Sequence, residues 1–432
     1  MTNQNEGIQI HGTVANGFEP VRSLFEHNMN TLAERNTQLC IYYDGERVVD
    51  LWASADGNSQ FSPNSLINVF SSGKSLEAIA MASLVGKGLL DYNNKITDYW
   101  PAFAGRGKQD LTVADLMRHE AGLAAFNVSI KPNDLRTENI KKNKIGEIIE
   151  AHPQKFREGD GSKREYHAVT RGWIVNEVFR RIDPAGRTIG EFLREDISTP
   201  LDVDANIGVK QEDLDKRIPV STLGLGFQVR QSLKPKFLGR RMEHNAFHTI
   251  GRLAKILPRM RQGTTSGSPP PFVGMVRIAF FNDPSVAMGE TPSANANCSA
   301  RGLAKIAAMM SQGGSFAGNE IINEKAWQSM HAAPVESDMG FMKNAFTQGG
   351  VAKFLDTSPS SSKMVRAFNE GRQGFYGWMG LGGSIFQWHP EHKIGFGYVP
   401  TSLNVIDLFN ERGKSYQAEV LKCVEKIAGT SN

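Results

Sequence analysis

Two chemistries share one short stretch of the chain, "NVFSSGKSLEAIA" at residues 68–80. Its "GKS" is the end of a phosphate-binding P-loop, whereas Ser71 and Lys74 have the S-x-x-K spacing of serine acyl-transfer enzymes. A P-loop needs its first glycine at position 68, and Asn68 stands there. The elements predicted nearby also lack the βαβ alternation of a P-loop fold. The nucleotide-binding interpretation is therefore disfavoured.

The residues after Ser71 make the serine interpretation physically consistent. Apolar residues recur on one face of a predicted helix that begins near Ser71 and stops at Gly86 and Gly88. Residues three apart on a helix are neighbours, so the Lys74 amine can reach the Ser71 hydroxyl. The hydroxyl needs such a base to act as a nucleophile, and the helix N-terminus favours the oxyanion that follows. A second S-x-x-K, Ser360 to Lys363, falls in a polar loop without a predicted helix and is attributed to chance.

Two further stretches supply partners for this pair. "REYHAVTRGWIVNEVFRRI" (164–182) places Tyr166 just before a predicted amphipathic helix. "GFYGWMGLGGSIFQWHPEHKIGFGYV" (374–399) places Gly380, Gly382 and Gly383 before a predicted hairpin. Glycines there would let the backbone approach a substrate closely.

The elements that must position these residues indicate a mixed architecture. Strands around the turn Asp44-Gly45 and around "HPEH" (389–392) are predicted to join one antiparallel sheet, covered by a C-terminal helix. Patterns such as "TVADLMRHEAGL" predict a helical segment between them. We therefore predict a discontinuous mixed α/β domain, residues 10–110 and 291–428, and an inserted mainly helical domain, residues 111–290. The loop 261–272 is a mobile lid or a plain linker.

Composition narrows the function classes. The chain has 432 residues, net charge +4 and three cysteines without a C-x-x-C pair, so nucleic-acid binding, a disulfide framework and a metal site are not expected. "HPEH" falls at a predicted turn, and His119 in "MRHEAGL" is expected to hydrogen-bond structurally. No signal peptide and no membrane-spanning run is recognisable, which predicts a cytoplasmic protein without a membrane partner. No G-x-S-x-G elbow is present, which disfavours an α/β-hydrolase.

Taken in order, the motifs resemble the serine β-lactamase-like superfamily, and within it the class C-related family VIII carboxylesterases. The resemblance covers about residues 10 to 428 and rests on an ordered set: Ser71-x-x-Lys74, "LTVADLMRHEAGL" (111–123), "YHAVT" (166–170), "ANCSARGLAKIAAMMSQGG" (296–314) and "YGWMGLGGS" (376–384). It implies a β-lactamase/transpeptidase-like fold, with an antiparallel sheet flanked by helices and the active site in the cleft between the two domains.

The resemblance also implies roles for individual residues. Ser71 would be the nucleophile, Lys74 its base partner and Tyr166 the second proton-transfer group. Trp378-Met379-Gly380 would stand where relatives carry Lys-Thr-Gly or His-x-Gly. The backbone N–H groups of Ser71 and Leu381 would form the oxyanion hole. Gly380, Trp378 and Leu381 would thus be the substrate-binding residues, and neither a cofactor nor a metal is implied.

Two departures from the family pattern bear on the substrate. Ala168 replaces the asparagine of penicillin-recognising members, and Trp378 replaces a cation or histidine that would face a carboxylate. An indole has one N–H donor and a large apolar face, so we expect it to stack on the acyl or alcohol group of a neutral ester. Both departures favour acetyl to butyryl esters over penicillins.

Three functions remain open at this point. The first is a serine hydrolase that cleaves carboxylic esters, and perhaps amides, through an acyl-Ser71 intermediate. The second is an acyltransferase that passes the same acyl group to an alcohol or amine. The third is a non-catalytic relative that keeps the fold for binding or assembly. The natural substrate and the oligomeric state do not follow from the sequence.

Overall fold

A computed structural model describes residues 8–156, 164–245, 268–340 and 342–430, together with positions 247, 250, 251 and 254. The strands are β1 (Ile10–Val14), β2 (Asn36–Tyr43), β3 (Glu46–Ser54), β4 (Ile67–Asn68), β5 (Ala205–Asn206), β6 (Ser221–Thr222), β7 (Asn297–Cys298), β8 (Ser315–Phe316), β9 (Asn319–Glu320), β10 (Val335–Met339), β11 (Met342–Phe346), β12 (Ala352–Lys353), β13 (Tyr376–Met379), β14 (Ile385–His389), β15 (Ile394–Pro400) and β16 (Ser402–Leu403).

The main sheet joins the two ends of the chain, as the sequence predicts. Its nine strands run in the order β1-β3-β2-β15-β14-β13-β12-β11-β10, and every pair is antiparallel. The β2–β3 hairpin turns at Asp44 and Gly45, whose φ angles of 47° and 84° are the positive values that a tight two-residue turn needs. Strand β15 is buried along its whole length, since helices cover the sheet there.

The α-helices are α1 (Glu19–Thr31), α2 (Lys74–Gly86), α3 (Ile96–Tyr99), α4 (Val113–Met117), α5 (Thr137–Ile140), α6 (Lys144–Ala151), α7 (Thr170–Ile182), α8 (Ile189–Phe192), α9 (Thr199–Leu201), α10 (Leu225–Ser232), α11 (Pro284–Ala287), α12 (Ala300–Ser311), α13 (Glu324–His331), α14 (Lys363–Asn369) and α15 (Glu411–Thr430). Helix α15 covers the sheet through Tyr416, Val420 and Val424, which are buried. Among the described helices, none is long and apolar enough to cross a bilayer.

Helix α2 is the central element of the molecule. The sequence predicts an amphipathic helix, but Lys74 to Val85 are all buried. The difference arises because α2 packs against α7, α13 and strand β13 on different sides. A helix enclosed in this way fixes its residues rigidly, because each buried apolar side chain contributes about 1.5–3 kcal/mol that a displacement would lose.

One local prediction was wrong. The helix predicted from "TVADLMRHEAGL" ends at Met117, because His119 (φ 67°) and Gly122 (φ 63°) adopt left-handed backbone. The polar loop predicted at 357–363 is confirmed up to Ser362, which caps helix α14 by accepting a hydrogen bond from the Val365 N–H. The second S-x-x-K serine, Ser360, stays exposed ahead of that cap.

The segment between the halves of the sheet is mostly helical, in short pieces. Its strand β5 pairs with β7, and β7 pairs with β4, so a small sheet ties it to the rest of the chain just before Ser71. The domain boundaries at 110/111 and 290/291 stay a prediction. Of the loop 261–272, residues 261–267 lie outside the described residues, and Phe272 bridges to Ile130.

Candidate active site

The Ser71 hydroxyl lies at the entry to helix α2, where the chain is bent. Strand β4 leads into a 3-10 turn, Phe70–Gly73, and the α-helix begins at Lys74. Phe70 adopts a φ of 47°, an unfavourable value for a bulky residue that the surrounding packing must hold in place. Ser71 is partly exposed while Ser72 to Val85 are buried, so the structure presents one hydroxyl of this segment to solvent.

The Lys74 amine is buried beside that hydroxyl. Its Nζ lies 3.4 Å from Ser71 Oγ, and it donates to the carbonyl oxygens of Ala168 at 2.7 Å and Ser293 at 2.9 Å. Burial lowers the pKa of Lys74 well below its ordinary value; Glu77 opposes this shift and Arg171 adds to it. A neutral amine has two hydrogens for the two carbonyls, which leaves its lone pair for the Ser71 proton.

Tyr166 completes a compact group with Ser71 and Lys74. Its hydroxyl hydrogen-bonds with the Ser71 side chain, and Lys74 Nζ lies 4.9 Å from the centre of its ring. Burial raises the pKa of Tyr166, although its bonds to Ser71 and Trp378 oppose the shift. The phenol therefore keeps its proton at neutral pH and can donate it.

His119, which was expected to have a structural role, holds the backbone on both sides of Tyr166. Its backbone carbonyl accepts from the Glu165 N–H at 2.9 Å, and its Nδ1 accepts from the His167 N–H at 3.1 Å, so both neighbours of Tyr166 are held. The rings of His119 and Tyr166 are 5.0 Å apart. Burial lowers the pKa of His119 well below its ordinary value, which keeps the imidazole neutral and able to accept.

Trp378 differs from its expected role at the substrate. The indole is 4% exposed and packs against Phe346 with ring centres 5.0 Å apart, so little of its face is available for stacking on an ester. Its Nε1 donates to the Tyr166 hydroxyl at 3.0 Å. Trp378 therefore acts on the site through Tyr166.

The turn after strand β13 lies directly against the chain that enters Ser71. Ser384 Oγ donates to the Val69 carbonyl at 2.7 Å and lies 3.0 Å from Ser72 Oγ. A Cβ on Gly380 would lie 2.2 Å from the same Val69 oxygen. Gly380 therefore lets the protein backbone come close, and an approach of this turn to a substrate stays a prediction. Leu381 follows in this turn with its side chain 42% exposed.

The other two glycines of this turn also face the protein. A Cβ on Gly382 would lie 2.6 Å from Leu403 Cβ, and one on Gly383 would lie 2.7 Å from the guanidinium of Arg412. Arg412 Nη2 in turn donates to the Gly382 carbonyl. These contacts fix the turn that contains Leu381.

A buried ion pair between Glu77 and Arg171 lies next to Lys74, and it was not identified from the sequence. Glu77 and Arg171 are fully buried and paired, and Arg171 Nη2 also donates to the Lys74 carbonyl at 3.1 Å. Ser293 Oγ donates to Glu77 at 2.9 Å while its carbonyl accepts from Lys74. The sequence held a partial indication of this pair, because Glu77 stands three residues after Lys74 and therefore neighbours it on the helix.

The "HPEH" stretch lies apart from this group, in the β14–β15 turn. The rings of His389 and His392 are 4.5 Å apart, and His389 Nδ1 accepts from the His392 N–H at 3.1 Å. The pair closes the turn through its own hydrogen bond, as the sequence placement indicated.

Comparisons with known proteins match almost the whole chain. A family profile described as Beta-lactamase matches residues 21–416. The "Esterase/beta-lactamase LipL" of Mycobacterium tuberculosis is 26% identical over 84% of this chain and 76% of its own. A family VIII carboxylesterase structure has a TM-score of 0.73 and 24% identity, covering 96% of this chain and 100% of that one. The EstA structure from Arthrobacter nitroguajacolicus has a TM-score of 0.71 and 23% identity, covering 98% and 100%.

Proposed function

The chain belongs to the Beta-lactamase family, and from that premise we propose that it cleaves carboxylic esters through an acyl intermediate on Ser71. The observation that carries the proposal is the buried Lys74 amine 3.4 Å from a partly exposed Ser71 hydroxyl. Burial lowers the pKa of this amine, which favours the neutral form that can accept a proton, and activation of a serine requires such a base.

The first half of the reaction forms the acyl-enzyme. Ser71 Oγ attacks the ester carbonyl carbon while its proton passes to Lys74 Nζ. The negative charge on the carbonyl oxygen is received by the backbone N–H groups of Ser71 and Leu381. Collapse of this intermediate breaks the bond to the alcohol oxygen, which takes a proton through Tyr166, and Lys74 reprotonates the phenol.

The second half of the reaction hydrolyses the acyl-enzyme and regenerates free Ser71. Water attacks the acyl carbon of Ser71 with its proton accepted by the Tyr166–Lys74 pair, and the Ser71 oxygen leaves and regains its proton. An alcohol in place of water would give a transferred ester by the same steps. Product analysis in the presence of methanol therefore separates hydrolysis from acyl transfer.

Two features support esters with neutral, short acyl groups over penicillins. The carboxylate of a penicillin needs a charged or hydrogen-bonding partner when it leaves water. Trp378 cannot serve as that partner, because its single N–H donates to Tyr166. Ala168, in the place of the amide-binding asparagine, gives Lys74 only its carbonyl oxygen. We expect p-nitrophenyl acetate and butyrate to be turned over and benzylpenicillin to be hydrolysed poorly or not at all.

The deciding experiment is intact-protein mass spectrometry after incubation with a panel of p-nitrophenyl esters, followed by turnover assays. An acyl adduct is expected on wild type and absent from Ser71→Ala, whose turnover should fall by at least about 1000-fold. Ser75→Ala is the matched control: the Ser75 hydroxyl is buried on the same helix and has no partner among the described residues. Turnover that survives Ser71→Ala contradicts the proposal.

A further inference from the structure

Helix α10 is inverted relative to an ordinary surface helix. Its polar residues Gln228 and Gln231 are 1% and 4% exposed, whereas Leu225, Val229 and Leu233 are 67%, 57% and 68% exposed. Residues four apart share one face of a helix, so these three form an apolar stripe directed at solvent.

Hydrogen bonds fix this orientation. Gln228 Nε2 donates to the Leu223 carbonyl at 2.6 Å, and Gln231 Oε1 accepts from the Arg241 N–H at 3.1 Å. Turning the helix over would break both bonds and leave the Leu223 carbonyl and the Arg241 N–H without these partners. The exposed stripe is therefore a built feature of the fold.

The turn that follows extends the apolar surface. Pro235 leads into a 3-10 turn, Lys236–Leu238, closed by Gly239 at a φ of 74°. Phe237 and Leu238 project from it, 86% and 61% exposed. We call Leu225, Val229, Leu233, Phe237 and Leu238 the docking face. Five large exposed apolar side chains within fourteen residues are more than the single scattered ones normal for a surface, and such groups are typical of interaction sites.

Positively charged residues alternate with the docking face along the chain. Residues 225–245 contain the cations Arg230, Lys234, Lys236, Arg240 and Arg241 and the single carboxylate Glu243. The rest of the chain is nearly balanced, because the whole net charge is +4. Glu243 is half-buried, while Arg230 and Lys236 are exposed.

From these observations we propose that the docking face binds the surface of a bilayer containing anionic lipids. Leucine and phenylalanine at the apolar side and lysine and arginine around it are the composition of interfacial membrane-binding segments. The negative surface potential of an anionic bilayer attracts such cations. A second copy of the chain fits poorly, since a symmetric contact would bring the same cations together. The sequence-based expectation of no membrane partner rested only on the lack of a membrane-spanning run, and it did not address binding to a membrane surface.

The docking face is joined directly to the wall of the candidate active site. Strand β6, just before α10, pairs with β16, and the Leu223 N–H donates to the Leu403 carbonyl at 3.0 Å. Leu403 is the residue that packs on Gly382 in the turn beside Ser71. The proposal concerns binding and holds whichever bond the site cleaves.

Co-sedimentation of the full chain with vesicles tests the proposal. Binding is expected to vesicles of equal parts phosphatidylglycerol and phosphatidylcholine, about 10-fold or more tighter than to phosphatidylcholine alone, and weaker at high salt. The double variants Phe237→Ser/Leu238→Ser and Arg230→Glu/Lys236→Glu should each lose most of this binding. They should keep the unfolding midpoint and the turnover of soluble p-nitrophenyl acetate.

Leu89→Ser is the control, since Leu89 is an exposed leucine elsewhere, at the end of helix α2. It should bind vesicles like wild type. Absence of binding to the anionic vesicles, or binding that both double variants retain, overturns the proposal. So does light scattering that shows a dimer dissociated by Phe237→Ser/Leu238→Ser, because the face would then belong to a second copy.

Discussion

In the proposed mechanism, the protonation state of Lys74 determines whether Ser71 can be activated. Burial and Arg171 lower the pKa of this amine, and Glu77 raises it. Glu77→Gln removes the opposing charge, so the pKa of Lys74 should fall further. The acidic limb of the kcat/KM profile for p-nitrophenyl acetate, which follows deprotonation of the base, should then move to lower pH.

Stability must be measured alongside, because Glu77→Gln also leaves Arg171 buried without its charge partner. A loss of about 3–5 kcal/mol in the free energy of unfolding is expected. Glu147→Gln, at an exposed helical position, is the control and should change neither quantity. An acidic limb that stays in place or moves to higher pH in Glu77→Gln would mean that another group is the base.

The hydrogen bond from Trp378 to Tyr166 gives a second prediction for a single residue. Trp378→Phe keeps an aromatic ring but removes the donor that holds down the pKa of Tyr166. We expect kcat to fall by about 3–10-fold with little change in KM, and the free energy of unfolding to change by less than about 1.5 kcal/mol.

Trp327→Phe is its control, because Trp327 also loses an N–H bond, to the Met310 carbonyl at 2.7 Å, within another part of the core. Its kcat should be unchanged. If Trp378→Phe loses much stability while its kinetic constants stay the same, Trp378 is a core residue without influence on the reaction.

At the scale of elements, the site depends on how closely the turn after β13 lies against the entry to α2. Gly380→Ala would place a Cβ 2.1 Å from Ser384 Oγ and 2.2 Å from the Val69 oxygen, so the turn must move away. We expect kcat to fall by about 100-fold, as for a lost oxyanion donor, with a stability loss of about 1–3 kcal/mol. Gly429→Ala, where nothing lies within 4 Å, should do neither. Full activity in Gly380→Ala would exclude this turn from the oxyanion hole.

At the scale of the whole molecule, one buried carboxylate holds the two ends of the chain together. Glu34 Oε1 accepts from Tyr398 Oη at 2.9 Å and from Arg412 Nη1 at 2.9 Å. Glu34→Gln should lower the free energy of unfolding by about 3 kcal/mol, because buried Arg412 loses the closer of its two carboxylate partners and keeps only Asp407, at 3.9 Å. Glu26→Gln, which disrupts an exposed pair with Arg22, should cost less than about 1 kcal/mol. Equal melting curves for the two variants would show that the Glu34 network adds no stability.

The sequence determined those features that depend on spacing along one element or on a turn signal. The distance of three residues brought Lys74 to Ser71, since both lie at the start of one helix. The turn signal at Asp44-Gly45 and the apolar and β-branched residues on both sides of it identified the β2–β3 hairpin. The order of the motifs indicated the family, and hence Tyr166 as the third group, which lies against Ser71 in the structure.

Only the tertiary structure decided the environment of these groups. Whether α2 has one buried face or is enclosed depends on how many distant elements pack on it. The hydrophobic periodicity of the helix sequence does not reveal that number. The same holds for Trp378, whose side chain points into the core and donates to Tyr166 across 212 positions of sequence. Helix α10 shows the reverse case: its apolar residues face solvent, while hydrogen bonds to Leu223 and Arg241 in the adjoining segments hold its glutamines inward. Burial and long-range hydrogen bonding set the pKa values and the exposed faces, and both arise only when separate parts of the chain meet.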